Sequence, residues 1–262
     1  MDAGKGLDRQ IQKSAVSRQP AACSKVLEGN STQASEKIQT KAVNSWSRNY
    51  THFVSLPLVY PGLVEKLIHF KNRITTELGI DETVFNKLGS LHLTVRMLEL
   101  GSEGLLKKAT EVLRSVSPKL WDALDNRPVF ITLKGLDLMR GSKEEAFIIY
   151  APVEEIGGEG RLLRACQVIT DALVDAGLAE KDAEYELKLH VTLMNAAFKR
   201  RERRSDEVVP FDARGIFEWY DCEKWGEFPI REAHLSQRGK FDENGYFHCC
   251  ALIPFPQHPN LP

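Results

Sequence analysis

Two short strings constrain this chain more than any other feature: Leu91-His92-Leu93-Thr94-Val95 and Leu189-His190-Val191-Thr192-Leu193. With 7 histidines and 11 threonines in 262 residues, chance supplies only about 0.3 His-x-Thr triplets. In a strand, residues i and i+2 share a face. Each His therefore projects with its Thr, while the flanking Leu and Val residues enter a core. The two histidines are 98 residues apart, and so are Gly79 and Gly177, each 13 residues before its histidine. Ahead of each glycine, apolar residues recur at helical spacing: Leu63, Leu67, Phe70 and Ile74, then Leu162, Cys166, Ile169 and Leu173. Ahead of those helices, residues 53–59 resemble residues 147–153 at an offset of 94. Strand, helix, glycine stop and His-bearing strand thus occur twice in the same order. The pattern predicts an α+β fold of two pseudo-symmetric lobes, with antiparallel sheets, helices outside and a cleft between.

Further strands are expected over 90–100, 129–138, 186–195, 230–237 and 246–253, and a helix over 105–116. Residues 1–48 differ: they are rich in Ser, Gln, Lys and Ala, with eight basic and four acidic side chains. Such a segment buries too little apolar surface to offset its ordering entropy, so a disordered tail is expected. The folded domain is expected over 49–255, with 256–262 an extended, proline-rich tail. Deleting residues 1–48 is expected to leave the melting temperature nearly unchanged; a thermal melt showing a drop of many degrees would mean the tail packs on the core.

Apolar residues are 42% and charged residues 27%, enough for a sizeable core. The net charge of −1 excludes a global pull onto nucleic acid. The five cysteines (Cys23, Cys166, Cys222, Cys249, Cys250) fit no zinc motif and suit a reducing compartment. No apolar run approaches a membrane span and no signal region opens the chain, so a cytoplasmic or nuclear monomer without membrane contact is expected.

Paired histidines suit proton transfer at both oxygens of a phosphodiester. With an unperturbed pKa of about 6.5, one imidazole can be neutral and accept a proton while the other is charged and donates one. The Thr hydroxyls can donate to the non-bridging oxygens. His92, Thr94, His190 and Thr192 are the candidate catalytic set, with no metal and no cofactor required. Arg96, at i+4 from His92, is expected on the same face, where a guanidinium could hold a phosphate; the alternative is a solvated strand end. Arg238 is a weaker candidate of the same kind. His234-Leu235-Ser236 fits a looser pattern, but about one such triplet arises by chance once Ser is allowed. It reads as a late strand outside the pair. The basic run from Lys199 to Arg204 reads as a solvated loop, with steering of a polyanion or nuclear import as alternatives. Phe217, Trp219, Tyr220 and Trp225 read mostly as core. A zinc hydrolase is disfavoured, because there is no His-Glu-x-x-His.

The triplets, their spacing and the strings THFVSLPL, LGSLHLTVRML and ELKLHVTLMNAAFKRR resemble the eukaryotic LigT-like branch of the 2H phosphoesterases. The likeness covers residues 50–255 and extends to the phosphoesterase domain shared by activating signal cointegrator 1 complex subunit 1 and A-kinase anchoring protein 7. It implies a two-lobed fold and a site made by both His-x-Thr motifs. It also implies a substrate among RNA ends, cyclic phosphates or nucleotide derivatives. A nucleoside monophosphate-binding module with little turnover, or an interaction subunit of a coactivator complex, would use the same frame. The cointegrator subunit also carries an RNA-binding KH domain; residues 1–50 hold no Gly-x-x-Gly loop for one.

Overall fold

Pro61 opens the first helix and Gly79, at φ 64°, ends it in the left-handed region, where a glycine carries no Cβ penalty. Between them Leu63, Leu67, Phe70 and Ile74 form one buried stripe. The computed structural model describes residues 49–181, 187–203 and 208–257; the expected tail over 1–48, and residues 258–262 of the expected tail over 256–262, lie outside these. In chain order the elements are β1 (His52–Pro57), α1 (Pro61–Leu78), β2 (His92–Leu98), α2 (Glu103–Ser115), α3 (Ser117–Ala123), β3 (Val129–Lys134), β4 (Asp137–Gly141) and β5 (Ala146–Glu155). There follow α4 (Arg161–Asp175), β6 (His190–Asn195), α5 (Ala196–Arg203), α6 (Arg214–Tyr220), β7 (Lys224–Ile230), β8 (Glu232–Phe241) and β9 (Phe247–Pro254). No helix among the described residues is long and apolar enough to cross a membrane.

The architecture is α+β. The strands follow one antiparallel path, β7-β3-β5-β6-β2-β1-β8-β9, with β4 also on β5. The two expected sheets are therefore half-sheets of one path. They meet where Leu93 of β2 pairs with Val191 of β6. Just beyond, Phe85 bridges Met194, and Asn86 bonds the carbonyls of Thr192 and Leu193. One face is apolar: Val54, Leu56, Leu93, Val95, Ile149, Ala151 and Val191 are all fully buried there. The helices cross the seam. The first-half helix α1 packs against β7, and the second-half helix α4 packs against α2, α3 and β2.

The internal repeat is visible in three dimensions, with one change of register. Pro57 stands across from His92 and Pro152 across from His190, an offset of 95 rather than 94. Gly177, at φ 68°, follows α4 as Gly79 follows α1. Both halves also carry a β-bulge three residues after the histidine. One lies where Ser55 pairs with Thr94 but Val54 with Arg96, the other where Tyr150 pairs with Thr192 but Ile149 with Met194. The expected strand over 129–138 is two strands, β3 and β4, broken by a turn at Gly135. Trp225 and Phe217 are core residues, with Trp225 and Tyr220 packing on Phe70.

Candidate active site

Directly paired residues of an antiparallel ladder project to the same side. The Leu93–Val191 pair points into the core, so the flanking positions point the other way. Antiparallel geometry sets His92 beside Thr192 and Thr94 beside His190. The four candidate residues thus come together on the cleft face, and His92 feels the charge of His190. All four side chains are partly exposed.

The two imidazoles are held alike. His92 Nδ1–H donates to the Ser90 carbonyl at 2.7 Å, and His190 Nδ1–H donates to the Lys188 carbonyl at 2.7 Å. A carbonyl can only accept, so this fixes the tautomer and leaves Nε2 without a proton in the neutral ring. Neither Nε2 has a hydrogen-bond partner among the described residues. No sequence motif marks this arrangement, because the acceptors are backbone atoms. The Ser90 carbonyl is set by a 3₁₀ turn, Leu88–Ser90.

Aromatic rings pin each imidazole. Phe53 lies 5.0 Å from the His92 ring and Phe247 packs edge-on at 5.4 Å. Phe241 stacks on Phe247, and Lys87 sits 4.8 Å over Phe241. On the other side Tyr150 meets His190 at 5.1 Å. The Tyr150 hydroxyl donates to Asp137 at 2.6 Å, and Lys188 lies 3.6 Å from the same carboxylate. Burial and the Asp137 charge push that hydroxyl pKa well up. Sequence reasoning does not single out these flanking residues, since lone aromatics in strands carry no local signal.

Burial pulls His92 down to about 4; the Ser90 carbonyl opposes this and His190 adds to it. His190 is lowered too, by burial first. For His92 the unfolded chain holds a proton between about pH 6.5 and 4 that the folded chain lacks. Stability therefore falls as pH falls through that window. Urea denaturation should show a lower midpoint at pH 4.5 than at pH 7, and His92→Gln should remove part of the difference. An unchanged difference would mean that His92 does not carry it.

Arg96 is not on the cleft face. The bulge at Val95 resets the alternation, so Arg96 pairs with buried Val54 on the helix side, and its guanidinium donates to the Glu180 carbonyl beyond α4. The expectation of a shared His92-Thr94-Arg96 face is thus corrected. Arg238 lies near the far end of β1 from His92, where it donates to the Tyr50 carbonyl. His234 sits on β8, two strands from β2, across from Ser55 and bonded to Glu232. Ser55 is itself across from Thr94 and shares a buried hydroxyl network with Ser236 and Tyr246, at 2.9 and 3.0 Å.

Among known proteins, a family model described as the AKAP7 2'5' RNA ligase-like domain matches residues 50–255. Activating signal cointegrator 1 complex subunit 1 of Mus musculus is 26% identical over 225 residues, covering 79% of this chain and 63% of that protein. The chain therefore spans less than two thirds of that relative's length. The crystal structure of TT0787 of Thermus thermophilus matches with a TM-score of 0.50 at 16% identity, over 79% of this chain and 98% of that one. E. coli LigT complexed with 3'-AMP matches with a TM-score of 0.49 at 13% identity, over 79% and 99%. The TT0787 likeness bears on the fold alone. With the family model covering most of the chain, the chain belongs to the AKAP7 2'5' RNA ligase-like domain family, within the 2H phosphoesterase superfamily.

Proposed function

We propose that this protein is a metal-independent phosphodiesterase acting on RNA ends, cyclic phosphates or a nucleotide derivative, with His92 and His190 as the acid–base pair. The observation that carries this reading is the matched pair of imidazoles. Each is anchored through Nδ1 to a backbone carbonyl, each has an unpartnered Nε2, and each lies beside a Thr hydroxyl of the opposite strand. Their lowered pKa values favour the neutral form of both imidazoles near pH 7. A bound phosphate raises both, because its negative charge favours imidazolium. One imidazole then serves as the base and the other, once charged, as the acid. Thr94 and Thr192 donate to the non-bridging oxygens as charge gathers there. The aromatic wall beside His92, with Lys87 over Phe241, suits a base next to a phosphate.

The test is turnover of 2′,3′-cyclic nucleotides and of 2′–5′ and 3′–5′ oligonucleotides by purified protein with EDTA present. Cleavage lost on adding EDTA would overturn the reading. A second reading is a nucleoside monophosphate-binding module, favoured by the lowered pKa of both imidazoles, which withholds the charged acid that turnover needs. AMP binding that needs His92 and His190, without turnover of any tested diester, would select it. The name of the mouse relative, a complex subunit, supports protein partners for this chain, and residence in nucleus or cytoplasm is part of the same proposal. Co-purification of a large partner with the full chain is the measurement for that.

A further inference from the structure

Away from the paired histidines, β8 and β9 gather a second set of reactive groups. Ser236 pairs with Cys249, and His234 is two residues from Ser236, so the imidazole and the thiol share one face of the ladder. Glu232 accepts a hydrogen bond from His234 Nε2–H at 2.7 Å. The other ring nitrogen, Nδ1, is buried and has no aligned hydrogen-bond partner. Tyr246 packs edge-on to the ring at 5.7 Å, but its hydroxyl is engaged by Ser55. The group left to meet Nδ1 is the half-buried Cys249 sulfur, whose S–H otherwise reaches the Ala251 carbonyl at 3.3 Å. Burial alone would strip the proton from His234. Cys249 and Glu232 outweigh it and hold the imidazole at about 9. A carboxylate that fixes an imidazolium beside a sulfur is the arrangement that turns a thiol into a nucleophile near neutral pH. Cys166 and Cys250 differ from Cys249. Burial pushes Cys166 up to about 12, and burial with the neighbouring Cys249 pushes Cys250 up.

We infer that Cys249, His234 and Glu232 form a thiol–imidazole–carboxylate cluster, and that Cys249 is a site of covalent modification by soft electrophiles, in particular low-molecular-weight disulfides. In that step the Cys249 thiolate, its proton already held by the His234 imidazolium, attacks one sulfur of the disulfide. The new S–S bond forms while the old one breaks, and the electron pair leaves on the departing sulfur. That thiolate takes up the proton, giving one mixed disulfide and one free thiol with no other oxidant. The inference does not depend on the phosphodiesterase reading, since none of the three residues belongs to the His92–His190 pair.

The test is the rate of alkylation of the full chain by iodoacetamide from about pH 5.5 to 9, with fragment ions resolving Cys249 from Cys250. Near pH 6.5, Cys249 should react on the order of tenfold faster than Cys250, with a shallow dependence on pH. His234→Gln should slow Cys249 on the order of tenfold, and Glu232→Gln should slow it less. Cys166 reports on folding in the variants, since it reacts only when the core opens. Oxidised glutathione should place its mixed disulfide on Cys249. A Cys249 rate in the parent protein that climbs like a free thiol through about pH 8.5, or one unchanged in a folded His234→Gln, overturns the assignment.

Discussion

His92→Ala and His190→Ala are each expected to slow phosphodiester cleavage on the order of 10²-fold or more, because each removes one of two proton-transfer groups. The double variant should be little worse than either single one, since an acid and a base acting in one step are lost as a unit. Thr94→Val or Thr192→Val should cost less, through loss of one donor to the phosphate. His234→Ala should stay close to the parent, because two strands separate His234 from the cleft pair. The rate should follow a bell-shaped pH curve, with one imidazole neutral and its partner charged. Steady-state kinetics on a cyclic nucleotide with EDTA present measures all of this. Full activity in the double variant would end the assignment.

A loss of stability of about 3–5 kcal/mol is expected for Arg161→Leu, the scale for breaking a buried ion pair from one side. For a domain of this size that is a fall in Tm of roughly 6–20 °C. Arg161 is 6% exposed at the start of α4. Its Nη1 donates to the carbonyls of Leu124, Arg127 and Pro128, at 3.2, 3.3 and 3.2 Å. Its Nε lies 3.0 Å from Glu159 and 3.6 Å from Glu155. The Glu155 side chain is 9% exposed and also accepts from the Leu162 amide. Leucine would fill the space but strand a buried carboxylate and three carbonyls that link α3, β3 and β5 to α4. Arg161→Lys should recover part of the loss, since an ammonium restores the charge without the planar fork. Thermal melts of the three proteins decide it. A fall below about 1 kcal/mol would mean that water already serves those groups.

The parts of this structure that the sequence reveals are those written in local chemistry. Gly79 and Gly177 mark helix ends because the left-handed backbone there favours glycine. The His-x-Thr pairs mark a functional face because alternation within a strand is a local rule. Arg96 departs from expectation for the same reason: alternation predicts its side, but the bulge at Val95 depends on how β1 lies against β2. The strand β7 is hidden in the sequence because Gly226 and Pro229 argue against a strand. At the edge of a sheet, Pro229 needs no outward ladder bond and is tolerated. The short helices α3 and α6, of seven residues each, are too brief for periodicity to register. Arg161 carries no signal at all, as its partners are distant carboxylates and backbone oxygens.

The crossing of the seam by α1 and α4 has a consequence for how far the repeat can be taken apart. A repeat built from self-sufficient modules can lose or gain a copy. Here each copy sends its helix to cover its sibling, and β8 and β9, from the end of the chain, return to pair beside β1. Neither copy closes its own core, and neither is one unbroken stretch of sequence. Any fragment holding a single His-x-Thr motif leaves an uncovered apolar sheet. The doubled pattern is therefore indivisible: the chain should melt in one cooperative step, and its two histidines exist as a pair or not at all.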